Sequence, residues 1–166
     1  MAVQIEKSPQ SVAIYAACVQ VGLIFLPLNT AYTASELSYF VEDSGARVII
    51  CDPKSQEPLS MIAQATGARL ETMDATGQGS FAQKAAPHPL HFATVPRDAE
   101  DLAAFLYTSG TTGRSKGAML TQNNLLSNAE VLTRHWAFSD SDVLLHALPI
   151  FHTHGLFVAT NIALLS

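Results

Sequence analysis

The sequence has little cysteine, with only Cys18 and Cys51 among its 166 residues. Cys18 lies in an apolar pattern typical of a helix, and Cys51 ends a short apolar run. Two cysteines so placed make neither a disulfide framework nor a set of four metal ligands. They favour a reducing, cytoplasmic setting.

Positive charge is also scarce, since nine Lys and Arg stand against 14 Asp and Glu and give a formal net charge of -5. Nucleic-acid-binding surfaces normally show a basic patch or stripe, so the composition argues against a nucleic-acid partner and favours small molecules. Hydrophobic residues make up 48% of the chain and charged residues 14%. Such an apolar composition predicts strands that are buried on both faces.

Long uninterrupted hydrophobic runs are missing as well. The stretch SVAIYAACVQVGLIFLP is broken by Gln20, Gly22 and Pro27 within a length too short to cross a membrane. It predicts a buried helix followed by a strand. The start of the chain, AVQIEKSP, has no basic region followed by an apolar segment, so we predict neither a secretory signal nor a membrane partner.

Strand and helix patterns alternate along the first part of the chain. Strands are predicted in AVQIE, IFLPLN, RVIICD and RLETMD. Helices are predicted over Pro9–Val21, Thr33–Asp43 and Pro58–Thr66, the second capped by Thr33 or Ser35 and followed by Gly45. Such βαβ repetition predicts an α/β fold in three layers, with a mostly parallel sheet flanked by helices.

The pattern lapses within residues 77–97, where GQGSFAQKAAPHPLHFATVP contains two glycines and three prolines. We predict a linker or surface excursion there. It separates the first βαβ units, residues 1–76, from further βα units over residues 98–166 within one domain. In the latter, DLAAFLYT and DVLLHALPI are predicted strands, TQNNLLSNAEVLTRHW a helix capped by Thr121, and GLFVATNIALLS the start of another helix. Because that apolar helix stops at Ser166 without a capping signal, we expect a fragment of a longer protein.

The stretch LYTSGTTGRSKGAMLT, residues 106–121, is rich in glycine and hydroxyl side chains. Its glycines fit neither the P-loop spacing nor the dinucleotide-binding G-x-G-x-x-G spacing. Glycines nevertheless let backbone N–H groups approach an anion closely, and Lys116 adds a mobile positive charge for a pyrophosphate leaving group. Composition alone leaves a flexible surface loop as an equal alternative.

The order of residues in this stretch resembles the phosphate-binding signature of the adenylate-forming superfamily, which includes acyl-CoA synthetases, peptide-synthetase adenylation domains and luciferases. The signature reads Tyr/Phe-Thr-Ser-Gly-Thr/Ser-Thr-Gly-x-Pro-Lys-Gly, and this chain departs from it at Ser115, which gives the backbone more freedom than proline. The resemblance implies a catalytic role for Lys116. It implies that the ATP phosphates are bound by Thr108, Ser109, Gly110, Thr111, Thr112, Gly113, Lys116 and Gly117.

A second match is ALPIFHTHGL, which resembles the superfamily's Pro-x-Phe-His-x-x-Gly motif. The resemblance implies that His152 and Gly155 bind the acyl substrate near the entrance for CoA. From the residues alone, His146, His152 and His154 could also form a metal site or be polar groups at a strand end. Without clustered Cys, Asp or Glu, we predict no metal site.

Together, PLNTAYT, GTTGRSKGAML and LPIFHTHGLFVATN are most similar to malonyl-CoA synthetases, and the chain looks like part of their large N-terminal domain. The resemblance implies a ligase in which a carboxylate attacks the α-phosphate of Mg-ATP and CoA then displaces AMP from the acyl-adenylate. The ligands of Mg²⁺ and the residues that bind adenine and ribose are expected outside this chain. We therefore expect the chain to need the remainder of its own enzyme for activity.

Several alternatives stay open. Arg114 and Arg134 are the local candidates for pairing a second carboxylate, and neither position is convincing, so methylmalonate, propionate and benzoate remain alternative acids. A kinase or NTPase would need a Walker frame or a kinase glycine loop, and the sequence has neither. The isolated chain could also be a non-catalytic α/β fragment.

Overall fold

A computed structural model describes residues 1–108 and 114–166. Its centre is a parallel sheet of four strands: β1 (Ala2–Gln4), β2 (Leu26–Pro27), β3 (Val48–Cys51) and β4 (Arg69–Thr72). They lie in the order β2-β1-β3-β4. This arrangement requires a crossover between each strand and the next parallel one, and the helices supply it.

Helices cover both faces of this sheet: α1 (Pro9–Val21), α2 (Ala34–Ser44) and α3 (Gln56–Thr66), the last preceded by a 3₁₀ turn at Pro53–Ser55. Side chains alternate across each strand. Val3 and Ile50 pack in the cluster that contains α1, whereas Ala2 and Ile49 pack in the cluster that contains α2 and α3. The predicted three-layer α/β fold is confirmed.

The ends of α2 follow the signals in its sequence. Thr33, not Ser35, is the N-cap, and its hydroxyl accepts a 3.3 Å hydrogen bond from the backbone N–H of Glu36. The Glu36 carboxylate in turn accepts from the backbone N–H of Thr33 at 2.8 Å, which completes a capping box. Gly45 ends the helix with a φ of 61°, a left-handed conformation that glycine adopts without steric cost.

Residues 77–97 include the short helix α4 (Ser80–Ala85), and the chain from residue 83 to residue 94 is exposed. The helix is tied to the sheet through Glu71 of β4. The Glu71 carboxylate accepts from the Ser80 hydroxyl at 2.6 Å and pairs with Lys84 at 2.5 Å and with Arg69 at 2.6 Å.

Beyond this excursion, β5 (Leu102–Thr108) and β6 (Lys116–Thr121) form an antiparallel pair. A parallel bridge between Phe25 and Ala104 sets β5 beside β2, so the strand order becomes β6-β5-β2-β1-β3-β4. The sequence predicted β5 and did not predict β6. The first four residues of β6 are exposed, so it lacks the apolar alternation that identifies a half-buried strand.

Helix α5 (Gln122–His135) begins after Thr121, as predicted, and its N-cap hydroxyl accepts from the backbone N–H of Asn124 at 3.2 Å. The predicted helix near the end is also confirmed: a π-helical segment at His154–Thr160 continues into α6 (Asn161–Leu165). Among the helices of the described residues, none combines the length and the apolar character that a membrane span needs.

The strand predicted for DVLLHALPI, residues 142–150, is wrong. Within the described residues this segment is irregular, and Val143 and Leu145 are 94% and 91% exposed. An apolar run forms a strand only where a neighbouring strand pairs with it. Here the carbonyl oxygens of His146 and Leu148 instead accept hydrogen bonds from the Lys7 ammonium, the second at 2.8 Å.

Candidate active site

The two strands on either side of residues 109–115 bring Thr108 and Lys116 opposite each other. Thr108 ends β5 and Lys116 begins β6, and the two residues are paired across the antiparallel ladder. The Thr108 hydroxyl lies 3.5 Å from the Lys116 carbonyl oxygen, and both residues are exposed. The other predicted phosphate-binding residues of this stretch, Ser109, Gly110, Thr111, Thr112 and Gly113, lie outside the described residues.

Gly117 is placed where a larger residue would meet the neighbouring strand. A Cβ atom on Gly117 would lie 3.3 Å from the ring of Tyr107, which is tighter than ordinary van der Waals contact. Glycine therefore lets the backbone of β6 lie against this aromatic ring.

Tyr107 connects the end of β5 to helix α2. Its hydroxyl donates a 2.6 Å hydrogen bond to Oδ2 of Asp43, and its ring lies 4.3 Å from the Phe40 ring, centroid to centroid. Burial, followed by the hydrogen bond to Asp43 and the negative charge of that carboxylate, raises the pKa of Tyr107 well above its ordinary value. The phenol therefore stays protonated and keeps donating to Asp43 at neutral pH.

Tyr39, one helical turn before Asp43, holds the start of β6. Its hydroxyl donates a 2.9 Å hydrogen bond to the carbonyl oxygen of Ser115. The guanidinium carbon of Arg114 lies 3.8 Å from the centroid of the Tyr39 ring, within cation–π distance. Arg114 and Ser115 thus contact α2, and the next residue, Lys116, pairs with β5.

The sequence reasoning missed Tyr39 and Asp43. Their spacing of four residues places them on one face of a helix, which was a usable signal. Their partners, however, lie 76 and 64 residues further along the chain. One of those partners stands directly before β6, a strand that the sequence pattern did not reveal.

The second motif forms a turn before the π-helical segment. His152 is exposed, its ring lies 4.6 Å from that of Phe151, and its carbonyl oxygen accepts from the backbone N–H of Leu156 at 3.0 Å. Gly155 is buried, and a Cβ atom there would collide with the carbonyl oxygen of Pro149. The glycine of this motif is therefore required by a close backbone approach.

His146, which precedes this turn in the chain, contacts Gly155 and Thr160 of the π-helical segment through its imidazole ring. Its Nε2 lies 3.0 Å from the Gly155 carbonyl oxygen and 2.9 Å from the Thr160 hydroxyl. That hydroxyl also lies 2.9 Å from the same carbonyl, to which it donates. Because the carbonyl oxygen can only accept and the hydroxyl already donates to it, Nε2 of His146 carries the ring proton and donates toward these two oxygens. Among the described residues, no group of three or more His, Cys, Asp or Glu side chains could hold a metal ion.

A small cavity of about 140 Å³ opens where β1 and β2 end. Its lining includes Lys7 after β1, Thr30 after β2, and Phe151 of the second motif. In open α/β sheets, ligands bind beyond the carboxyl ends of the strands. The second motif thus lies at the edge of the sheet where a substrate site is expected.

Comparison with known proteins identifies the family. The AMP-binding enzyme family matches residues 1–166, and the chain belongs to it. The resemblance to the adenylate-forming superfamily is confirmed by this match. It extends from the first strand to the last helix and so includes both motifs.

The relatives include acid–CoA ligases. A mitochondrial malonate–CoA ligase of Bos taurus is 35% identical over 136 residues, which are 81% of this chain and 22% of the relative. Crystal structures of MatB from Rhodopseudomonas palustris, without ligand and with ATP, are 52% identical with a TM-score of 0.94, covering 98% of this chain and 32% of theirs. A malonyl-CoA ligase with bound methylmalonyl-CoA and AMP is 27% identical with a TM-score of 0.74, covering 98% of this chain and 32% of that protein. The chain thus spans between about a fifth and a third of the length of these relatives.

Proposed function

We propose that the full-length enzyme containing this chain is an AMP-forming acid–CoA ligase. It binds ATP and a small carboxylic acid, forms an acyl-adenylate, and transfers the acyl group to CoA. The observation that carries this proposal is the similarity of the chain, over 98% of its length, to a MatB structure that holds ATP. Membership of the AMP-binding enzyme family supports the use of ATP.

In this proposal Lys116 is the catalytic residue of the first step. A carboxylate is a poor nucleophile, so the rate depends on holding it in line and on neutralising the charge that builds on the leaving pyrophosphate. The Lys116 side chain is exposed, and among the described residues it has no carboxylate partner. Its ammonium group is therefore available for phosphate oxygens. Thr108 and Gly117 flank it, and the proposal includes as phosphate ligands the residues that precede it: Ser109, Gly110, Thr111, Thr112 and Gly113.

His152 and Gly155 are assigned to the acyl side of the site. Gly155 sets the tight turn against Pro149, and His152 presents an exposed imidazole on that turn. An exposed imidazole near the acyl-adenylate can contact the acyl group or the incoming thiol. Phe151, next to it, lines the cavity beyond β1 and β2. In the proposal this ring is the apolar wall of the acyl site.

Malonate is the acid that we favour. The support is the malonate–CoA ligase of Bos taurus and the malonyl-CoA ligase complex among the relatives. Neither local arginine suits the second carboxylate: Arg114 lies over the Tyr39 ring, and Arg134 is an exposed residue of α5 whose Nε donates to the Glu130 carbonyl oxygen at 3.3 Å. We therefore place the cation for that carboxylate outside this chain. Methylmalonate is the next candidate acid.

The proposal also gives each segment of the chain a role in the enzyme. Residues 1–76 supply the βαβ units that support the site, residues 77–97 a surface excursion, and residues 98–166 the phosphate-binding and acyl motifs. The groups that hold Mg²⁺, adenine and ribose belong to the remainder of the enzyme. A cytoplasmic location stays a prediction.

Product analysis tests this proposal. The full-length enzyme is incubated with ATP, Mg²⁺, CoA and one acid at a time, and nucleotides and thioesters are separated by chromatography and identified by mass. The proposal predicts AMP, pyrophosphate and the acyl-CoA, with malonyl-CoA formed fastest. Formation of ADP without AMP would contradict it, since γ-phosphate transfer would then be the reaction.

A further inference from the structure

We infer that Tyr39 of helix α2 is a positioning residue for Lys116, and that it acts by fixing the peptide group that joins Ser115 to Lys116. This inference rests on the proposed function of Lys116. It adds a residue from a distant part of the chain to the phosphate-binding machinery, and neither sequence motif contains that residue.

The first observation is the hydrogen bond from the Tyr39 hydroxyl to the Ser115 carbonyl oxygen, at 2.9 Å. That carbonyl belongs to the peptide plane that includes the backbone nitrogen of Lys116. On the other side of Lys116, the ladder with Thr108 fixes the backbone. The residue is therefore held on both sides, and its Cα–Cβ bond has one direction relative to the sheet.

The second observation is the Arg114 guanidinium over the Tyr39 ring, 3.8 Å from its centroid. This contact holds the residue two positions before Lys116 to the same side chain. Tyr39 itself is braced, because its ring lies 5.8 Å from that of Tyr107 and 5.5 Å from that of Phe40. A ring packed in this way loses little freedom when it forms the hydrogen bond.

The third observation is that the residue before Lys116 is Ser115 and not a proline. Ser115 permits more backbone conformations than proline would at the same position. A contact from another element then restricts the backbone more, because no proline fixes the conformation of the residue before Lys116. Tyr39 supplies two such contacts: its hydroxyl contacts Ser115, and its ring contacts the preceding residue, Arg114.

The variant Tyr39→Phe tests the inference, since it removes the hydroxyl and keeps the ring. Tyr32→Phe is the matched control: the Tyr32 ring also packs on Phe40, at 5.0 Å, and among the described residues its hydroxyl has no hydrogen-bond partner. Both variants are made in the full-length enzyme and compared with the wild type. Thermal unfolding checks that the two variants are folded.

Trypsin supplies a readout that needs no catalytic activity. Cleavage after Arg114 and Lys116 should become about three- to tenfold faster in Tyr39→Phe, the factor expected for losing one hydrogen bond. Cleavage after Lys54, which is 78% exposed on the 3₁₀ turn, is an internal control and should not change. Unchanged cleavage at Arg114 and Lys116, or equal acceleration at Lys54, would overturn the inference.

Kinetics supply the second readout. In acid-dependent exchange of pyrophosphate into ATP, Tyr39→Phe should lower kcat/KM for ATP by about three- to tenfold, while KM for the acid stays unchanged and Tyr32→Phe behaves as the wild type. If the wild type catalyses exchange and Tyr39→Phe matches it, the role of Tyr39 is wrong and the proposed function stands. If the wild type catalyses no exchange with any acid, the proposed function fails, and the trypsin comparison still decides whether Tyr39 holds this backbone.

Discussion

The hydroxyl of Tyr107 donates a 2.6 Å hydrogen bond to the Asp43 carboxylate, and this bond joins the last turn of α2 to the end of β5. Tyr107 precedes Thr108, the first of the proposed phosphate ligands. Helix α2 therefore contacts the chain on both sides of residues 109–113, through Asp43 at Tyr107 and through Tyr39 at Ser115.

The first prediction concerns this bond. Tyr107→Phe should lower the free energy of unfolding by about 1 kcal/mol, the usual net value of a hydrogen bond, because it leaves Asp43 without its donor. Since the folded protein raises the pKa of Tyr107, the contribution is fully present below a pH of about 10 and is lost only as the pH rises further. Urea unfolding at pH 7 measures it. A double-mutant cycle with Asp43→Asn should show coupling; additive effects of the two changes would contradict the pairing.

The second prediction is that Lys116→Ala slows adenylate formation and spares CoA binding. If Lys116 stabilises the leaving pyrophosphate as proposed, removing its charge should cost about a hundredfold or more in rate. Single-turnover formation of the acyl-adenylate measures the first step, and calorimetric titration with CoA measures binding. Lys54→Ala, which removes an exposed lysine from the 3₁₀ turn, is the control. An unchanged rate of adenylate formation would remove Lys116 from the mechanism.

The third prediction concerns Gly155. Gly155→Ala should destabilise the turn that carries His152, because the new Cβ atom meets the backbone oxygen of Pro149 and not a flexible side chain. We expect a loss of about 1–3 kcal/mol in stability, together with weaker acid-dependent activity. Gly67→Ala is the comparison, since Gly67 has a φ of 70° but an added Cβ atom there would meet nothing within 4 Å. If Gly67→Ala proves equally harmful to activity, the close approach at Pro149 is not the reason for Gly155.

The fourth prediction concerns acid stability. Burial alone would raise the pKa of Glu71, but hydrogen bonds from Lys84, Ser80 and Arg69 outweigh it and lower the pKa to about 2. A depressed carboxyl pKa contributes stability above the unfolded value, near 4.3, and loses that contribution as the pH falls toward 2. Glu71→Gln should therefore lower the melting temperature at pH 7 and differ progressively less from the wild type between pH 4.5 and about pH 2. A constant difference across this range would contradict the assignment.

Local signals explain why the helices could be predicted from the sequence. Helix α1 spans the predicted residues, Pro9–Val21, because Ser8 caps it and Gly22 ends it. Helices α2 and α3 likewise end at glycines, each with a positive φ. Each signal lies within a few residues of the boundary that it sets.

Strand pairing could not be predicted in the same way. The first four of the six residues of β6 are exposed, and the strand forms because β5 pairs with it. The apolar segment 142–150 has no strand beside it within the described residues and stays irregular. The same difference between local signals and long-range contacts applies to the residues of the candidate site. The motifs identified Thr108, Lys116, His152 and Gly155 as candidates, but the supports at Tyr39 and Asp43 depend on contacts between residues far apart in the chain.

Formation of an acyl-adenylate by the full-length enzyme is tested most directly by exchange of labelled pyrophosphate into ATP, without CoA, across malonate, methylmalonate, propionate and benzoate. Exchange requires reversible formation of an acyl-adenylate, so it reports the first chemical step alone. We expect exchange that depends on the added acid and is fastest with malonate. Faster exchange with another acid would contradict the substrate assignment, and no exchange with any acid would contradict the proposed chemistry.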